Sequence, residues 1–291
     1  MTPYVADPVY LNGQFLPLDE ARISPLDRGF VYGDGVYEVI PVYSRRPFRM
    51  VEHLGRLQAT LDGIRLPNPL TVAQWSAVVE RLVAEAPWED QSVYLQVSRG
   101  ADIKRDHPFP PASVPPTVFA MTSPLVTTAP EVLATGVSAI TVKDNRWGRC
   151  DLKVISLIAN ILARQTAVDQ GCTEAILIRD GLAKEGAASN IFVVKEGVML
   201  APPKSHLMLP GITYDVVLEL AKQHQLPHEV REIPEAELRT ADEVWMTSST
   251  KEVLSITQLD GQPVGDGRPG PVGQRMWQWY QDFKNTVMRS G

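Results

Sequence analysis

The sequence predicts an α+β protein of two domains. Its 291 residues are enough for two domains of ordinary size. Alternating apolar residues, which predict strands, are separated by segments whose apolar residues recur at helical spacing. A small, polar, proline-flanked stretch at 123–130 is typical of a linker. We therefore expect a smaller N-terminal α+β domain at 1–122 and a larger C-terminal α/β domain at 131–291.

Composition narrows the classes of partner. The net charge of −6 comes from mixed signs without a basic block, so neither nucleic acid nor a membrane surface is expected. The start of the chain lacks a secretion-signal pattern, and no apolar run is long enough to span a bilayer. Cys150 and Cys172 fit neither a disulfide framework nor a metal site, which favours a reducing cytoplasm.

In the first domain, the Asn12-Gly13 pair between two short apolar runs predicts a hairpin. Apolar residues from Trp75 to Ala86 predict a helix. The segment 104–116 contains five prolines and is expected to be an extended loop. Further strands are expected at 36–43, 92–99 and 118–121.

In the second domain, strand and helix patterns alternate, but hairpins interrupt them, so a doubly wound parallel sheet is not expected. Helices are expected at about 152–170, after Gly211 and at 276–287. Strands are expected at 137–142, 174–179, 190–194, 198–200 and 243–246.

Lys153 stands out because the surrounding run, 151–158, otherwise has the pattern of a core-facing segment. A lysine whose pKa is lowered by burial is a good amine nucleophile, most often for pyridoxal phosphate. The alternative is a lysine that points to water from the first turn of a helix.

Other segments offer the remaining groups that this cofactor needs. Glu185 is a candidate acid for the pyridine nitrogen, although it could equally be a solvated turn residue. At 209–213, Pro and Gly precede a helix whose free amides could bind phosphate, or form a plain capped turn. The polar run 247–250 and the guanidinium of Arg56 could contact the same anion. The glycine-rich run 27–38 matches no nucleotide fingerprint, because a strand follows it.

Taken together and in this order, the motifs resemble those of fold type IV (class IV) pyridoxal-phosphate aminotransferases, most closely bacterial D-amino acid aminotransferases. The resemblance runs almost end to end. It is carried by Asp27-Arg28-Gly29 with Gly33-Asp34-Gly35-Val36-Tyr37-Glu38, Glu52-His53-Leu54 with Arg56-Leu57, Arg146-Trp147 with Arg149 to Lys153, Glu185-Gly186 with Ser189-Asn190, Gly211-Ile212-Thr213, and Thr247 to Thr250.

The resemblance implies pyridoxal 5'-phosphate (PLP) bound between the domains. Lys153 would be the Schiff-base lysine that also moves the substrate proton, and Glu185 would pair with the pyridine nitrogen. Leu209 would pack on one face of the ring. The phosphate would be held by Arg56, Ile212, Thr213, Ser248 and Ser249.

For the substrate carboxylate the resemblance implies Tyr37 and Thr250 together with Arg105 and His107, the last two reaching across the interface of a homodimer. Residues i and i+2 of an extended loop project to one side, so a guanidinium and an imidazole there can bind one carboxylate. The alternative is a solvated charged loop. At 187–188 two alanines replace hydroxyl residues of the family.

The expected activity is therefore ping-pong transamination between D-amino acids, such as D-alanine and D-glutamate, and 2-oxo acids. Three alternatives remain. They are a branched-chain L-amino acid or (R)-amine aminotransferase of the same fold, a 4-amino-4-deoxychorismate lyase, and a non-enzymatic protein that carries the cofactor.

Overall fold

The computed structural model describes residues 4–290, which form two compact units. Within that range the first unit comprises the chain up to Leu125, the segment Leu152–Ser156 and the residues from Met288 onward. The second unit comprises Val126–Asp151 and Leu157–Val287. The sequence-based boundaries assign residues 152–156 to the C-terminal domain, whereas contacts group them with the first unit. None of the helices in the described range could span a membrane.

The first unit is built on a six-stranded sheet in which every neighbouring pair is antiparallel. Its elements, in chain order, are β1 (Val9–Leu11), β2 (Gln14–Leu16), α1 (Arg28–Tyr32), β3 (Gly35–Tyr43), β4 (Arg46–Pro47), α2 (Met50–Gly63), α3 (Val72–Glu85), β5 (Gln91–Ser98) and β6 (Thr117–Pro124). The strand order is β2-β1-β6-β5-β3-β4. The predicted hairpin is confirmed, with positive φ at both Asn12 and Gly13. The segment 104–116 contains neither helix nor strand.

Helices α2 and α3 supply apolar faces to the core of this unit. Leu57 and Leu61 of α2 and Trp75 and Leu82 of α3 are almost fully buried, in one cluster with Ile40 of β3. Burying each such side chain contributes about 1.5–3 kcal/mol. A capping box between Thr71 and Gln74 satisfies amides at the start of α3.

The segment that contains Lys153 is extended, so the prediction of a helix beginning near residue 152 is wrong. The helix starts only at Ile158. Val154 forms an isolated antiparallel bridge with Val36, and the backbone amide of Tyr37 donates to the Lys153 carbonyl at 3.0 Å. The apolar spacing that resembled a helix instead arises because Leu152 and Val154 are buried in the core of the first unit.

The second unit contains a mixed ten-stranded sheet. Its elements are α4 (Pro130–Thr135), β7 (Val137–Lys143), α5 (Ile158–Asp169), β8 (Glu174–Arg179), β9 (Leu182–Gly186), β10 (Asn190–Lys195), β11 (Val198–Ala201), α6 (Ile212–Gln223), β12 (His228–Val230), β13 (Ile233–Pro234), α7 (Glu235–Arg239), β14 (Glu243–Ser248), β15 (Glu252–Leu259), β16 (Gln262–Pro263) and α8 (Pro271–Phe283). The terminal helix begins earlier than predicted and continues into a π-helical turn, Lys284–Met288.

The strand order of this sheet is β12-β11-β10-β14-β15-β7-β8-β9-β13, with β16 beside β15. Only the pairs β11–β12, β15–β7 and β7–β8 are parallel. The prediction that this is not a doubly wound parallel sheet is therefore confirmed. Apolar side chains of the central strands, such as Ile191, Val193, Met246 and Ile256, form the largest core cluster of the unit.

Candidate active site

Lys153 is held from both sides of the chain by backbone pairing. Besides the bond to Tyr37, the amide of Ile155 donates to the Gly35 carbonyl at 3.0 Å. The Lys153 Nζ lies 4.2 Å from the centroid of the Tyr37 ring. The side chain is half-buried, and no carboxylate within residues 4–290 forms an ion pair with it. This is the setting of an amine that is kept available for a reaction partner.

The first unit also contains a buried ionic cluster of Glu38, His53 and Arg56. Glu38 follows Val36 and precedes Ile40 on the core-facing side of β3, so its carboxylate is completely buried. Arg56 binds it bidentately, with Nε 2.9 Å from Oε2 and Nη2 2.6 Å from Oε1. Burial alone would raise the pKa of Glu38, but Arg56 and the hydrogen bond from His53 outweigh it and lower that pKa.

His53 reaches the same carboxylate, with Nδ1 3.1 Å from Oε1. Burial lowers the pKa of His53, so the ring is neutral, and because Glu38 is ionised the proton must lie on Nδ1. The Nε2 atom is then an acceptor, and it is buried without a hydrogen-bond partner in the described chain. His53 and Glu38 therefore fix the position of the Arg56 guanidinium, whose side chain is 9% exposed.

Two tyrosines lie side by side on the other face of the same strands. Tyr37 of β3 and Tyr94 of β5 stack with their centroids 5.8 Å apart. The Tyr94 hydroxyl donates to Gln96 at 2.7 Å, and burial raises the pKa of Tyr94 to about 12. The Tyr37 hydroxyl therefore belongs to a rigid aromatic pair rather than to a mobile side chain.

The loop that carries Arg105 and His107 is exposed, yet it is anchored. Arg28 donates to the carbonyl oxygens of Asp106, His107 and Pro108 at 2.6, 3.3 and 3.3 Å. The structure thus brings Arg105 and His107 together on one ordered loop of the first unit.

In the second unit, Glu185 of β9 forms a buried network with Arg146. Arg146 Nη1 lies 2.5 Å from Glu185 Oε1, and the same guanidinium binds Asp144 bidentately at 2.9 and 3.0 Å. Arg179 approaches Asp144 at 3.2 Å. Burial raises the pKa of Glu185 to about 7, although Arg146 acts in the opposite direction. Glu185 is therefore poised between its neutral and ionised forms.

The segment before α6 closes around this carboxyl group. The Leu209 amide donates to Glu185 at 3.2 Å, and Asn190 Nδ2 donates both to Glu185 Oε2 and to the Leu209 carbonyl. A Cβ on Gly211 would collide with Asn190 Oδ1, so only glycine fits there. Ile212 and Thr213 are buried in the first turn of α6, where helical amides have no intrahelical acceptor.

The polar run at the end of β14 forms a tight turn. The Ser248 hydroxyl accepts from the Lys251 amide at 3.1 Å, Ser249 is half-buried and Thr250 is exposed. Thr247 has a buried hydroxyl without a hydrogen-bond partner in the described residues. The turn is anchored by Glu252, which adopts a positive φ of 57° and accepts from Lys284 at 2.7 Å.

Several residues with clear roles in these clusters were not among the predicted site residues. Glu38, His53, Arg28, Arg146 and Asn190 hold the candidates in place. A signal existed for some of them, because a carboxylate on the core-facing side of a strand and a His53-Arg56 pair at helical spacing both require polar partners. The partner of Arg146 could not be inferred, because it lies on a different hairpin.

Comparison with known proteins identifies the family. The profile of the amino-transferase class IV family matches residues 35–259, which is most of the chain. This chain belongs to the class IV aminotransferase family. The aminotransferase is also 36% identical over 275 residues to a D-alanine aminotransferase of Staphylococcus epidermidis, covering 94% of this chain and 97% of that one. It is 40% identical over 264 residues to the D-alanine aminotransferase of Bacillus licheniformis, covering 91% and 92%.

Solved structures give the same fold. A branched-chain amino acid aminotransferase of T.th., solved with pyridoxamine 5'-phosphate, superposes with a TM-score of 0.89 at 28% identity, covering 98% of this chain and 95% of that one. The Escherichia coli branched-chain amino acid aminotransferase superposes with a TM-score of 0.87 at 25% identity, covering 98% and 96%. The predicted fold type IV is confirmed, and the aminotransferase depends on PLP.

The side chains in both units are suited to that cofactor. Lys153 offers an amine without a carboxylate partner in the described chain, and Glu185 offers a buried carboxyl group that can accept from a ring nitrogen. The unpartnered hydroxyl of Thr247 and the first-turn amides of α6 are donors of the kind that a phosphate group accepts from.

Proposed function

We propose that this aminotransferase transfers the amino group between D-amino acids, such as D-alanine and D-glutamate, and 2-oxo acids. The observation that carries the proposal is the identity of 36–40%, over more than nine-tenths of the chain, to relatives named as D-alanine aminotransferases. The Arg105 and His107 pair supports it, because an aminotransferase for α-amino acids needs cationic donors for the substrate carboxylate.

The residues that hold PLP are proposed as follows. Lys153 attaches the cofactor covalently, Glu185 accepts from the pyridine nitrogen, and Leu209 packs on the ring. The anion is bound by Arg56, Ile212, Thr213, Ser248 and Ser249. The bidentate contact of Arg56 with Glu38 supports its part, since a guanidinium that is oriented in advance loses little conformational freedom on binding phosphate.

When bound, PLP draws electrons away from the substrate Cα, which makes its hydrogen acidic. Lys153 Nζ is the base proposed to remove that hydrogen and to return it in the reverse half-reaction. The rigid stack of Tyr37 on Tyr94 limits the positions that Nζ can adopt above the Tyr37 ring. Glu185, poised near neutral pH, becomes fully ionised when a protonated ring nitrogen lies against it.

Tyr37, Thr250, Arg105 and His107 are proposed to bind the substrate carboxylate, with Arg105 and His107 supplied by the second subunit of a homodimer. The exposed apolar side chains of α5 support association of two copies, because Ile158, Ile161 and Leu162 are each more than half exposed. Light scattering of the purified protein tests the dimer directly. We propose the cytoplasm as its location.

The half-reaction tests the substrate assignment. The PLP-loaded protein is mixed with D-alanine or with L-leucine, and the visible band of the cofactor is followed as it converts to that of pyridoxamine phosphate. Conversion by D-alanine without conversion by L-leucine is the expected result. Arg105→Met is the matched variant, and it should weaken D-alanine binding while leaving the spectrum of the loaded protein unchanged.

A second candidate is a branched-chain L-amino acid aminotransferase. It is favoured by the structural neighbours, whose names give that activity, at TM-scores of 0.87–0.89. Conversion by L-leucine and not by D-alanine would select it, and the fold and cofactor would be unaffected.

A further inference from the structure

Arg28 is a buried arginine that makes contacts of two kinds. Its Nε donates to Asp34 Oδ2 at 2.8 Å, and its two terminal nitrogens donate to the carbonyl oxygens of Asp106, His107 and Pro108. Arg28 is only 6% exposed although the loop it contacts is at the surface. A planar guanidinium can serve several acceptors at once in this way, which an ammonium cannot.

The helix α1 aims Arg28 at the loop. The Asp27 carboxylate caps α1 through the Gly29 amide at 2.8 Å and also accepts from Ser98 at 2.7 Å and Thr117 at 2.6 Å. The Arg28 amide donates to the Gly100 carbonyl. Because Gly100 and Thr117 flank the loop at 101–116, both of its ends and the start of α1 are fixed to one another.

The same helix places an aromatic ring beneath the loop. Tyr32 lies one turn after Arg28, on the same face of α1. The Arg105 guanidinium lies 4.8 Å from the Tyr32 centroid, and the His107 ring lies 5.5 Å from it. The two side chains proposed to bind the carboxylate therefore contact one ring, on a loop whose backbone is held by Arg28.

Charge balance keeps this arrangement intact. Asp34 accepts at 2.8 Å from both Arg28 and Arg99. Burial alone would raise the pKa of Asp34, but the two guanidinium groups prevail and lower it. Asp34 thus stays ionised and offsets the positive charge that Arg28 brings close to Arg105.

We propose that Arg28 is a positioning residue, which holds the loop backbone at 106–108 so that Arg105 and His107 present their donors to the substrate carboxylate. The inference rests on the function proposed above. It assigns a role to the Asp27-Arg28-Gly29 motif without any contact between Arg28 and substrate, and it makes substrate affinity depend on a clamp within a single subunit.

The test compares Arg28→Met and Arg28→Lys with Arg45→Met in the PLP-loaded protein. Arg45 is a matched control, because its Nε also binds a carboxylate, Glu89, and its Nη1 also donates to carbonyls, those of Val83, Ala84 and Ala86. It has no contact with the loop at 101–116.

Two measurements separate positioning from a general loss of stability. The KM for D-alanine is expected to rise at least about tenfold in Arg28→Met, with a smaller change in kcat and an unchanged cofactor spectrum. Tryptic cleavage after Lys104 and Arg105, located by mass spectrometry, should accelerate in the same variant. Arg45→Met should alter neither quantity.

Arg28→Lys keeps a charge beside Asp34 but loses the fork, so it should fold normally and still raise the KM. An unchanged KM in both Arg28 variants, while Arg105→Met raises it, would overturn the positioning role. If Arg105→Met itself leaves the KM unchanged, the proposed carboxylate site is wrong and this inference fails with it. Unchanged tryptic cleavage would overturn the clamp separately.

Discussion

Replacement of Glu185 by Gln is expected to remove a pH-dependent loss of stability from the cofactor-free protein. Burial raises the pKa of this carboxyl group from 4.5 to about 7. Between these values the folded state holds a proton that the unfolded state has released, so the free energy of unfolding falls as the pH rises. Stability is full below the unfolded pKa and has been lost once the pH exceeds about 7.

The magnitude follows from the two pKa values. A difference of 7 minus 4.5 corresponds to about 3 kcal/mol. Glutamine keeps the size of the side chain and cannot ionise, so the variant should show no such loss. Its destabilisation relative to wild type should therefore be largest in acid and shrink toward alkaline pH.

Guanidinium unfolding of both proteins between about pH 5 and about pH 8 measures this difference. Glu52→Gln, which changes an exposed carboxylate on α2, is the control and should follow the wild-type curve. Parallel loss of stability in wild type and Glu185→Gln across the range would refute the reasoning, because it would mean that Glu185 has the same pKa in both states.

Three further perturbations address the other clusters. Lys153→Ala should abolish transamination and leave no cofactor attached after borohydride reduction, as measured by mass spectrometry, because no other amine would replace it. Glu38→Gln should lower the free energy of unfolding by about 3–5 kcal/mol in a denaturant titration, since it leaves buried Arg56 without its carboxylate. Gly63→Ala should cost about 1–3 kcal/mol in the same measurement, because the new Cβ would collide with Leu152 Cδ2, and the cost should shrink in a Leu152→Ala background.

Each of these has a comparison variant in the same chain. Lys143→Ala removes an exposed lysine and should leave the attached cofactor intact. Glu85→Gln breaks the exposed pair with Arg81 and should cost less than about 1 kcal/mol. Equal costs for Glu38→Gln and Glu85→Gln would contradict the buried ion pair. Additive costs for Gly63→Ala and Leu152→Ala would show that the two positions are not coupled.

Local sequence signals were sufficient for most of the architecture. The Asn12-Gly13 turn, the helix around Trp75 and the hairpin at 190–200 carry their own turn chemistry or periodicity. The stretch at 152–156 misled the prediction, because its apolar spacing fits a helix equally well. Its extended form depends on pairing with β3, more than a hundred residues earlier in the chain. Such pairing leaves no local trace in one sequence.

The candidate site was predictable to a similar degree. Lys153 and Glu185 could be singled out by residue type and order, and the family resemblance supplied their proposed roles. The side chains that orient them could not be found, since the contacts of Arg56 with Glu38 and of Arg146 with Glu185 each join separate elements. Arg28 stands in a motif that the resemblance includes, but its contact with the loop at 106–108 is visible only in three dimensions.

The composition of the first unit constrains the order in which the chain can fold. Its core includes Leu152 and Val154, and Arg289 Nη1 donates to Asp90 at 2.7 Å. Domains generally fold as units during synthesis, from the N-terminus onward. The N-terminal residues of this protein must wait on the ribosome until the lysine segment has emerged, and the last contact forms only when translation is almost complete. Fragments that end at Leu125 therefore lack part of their own core.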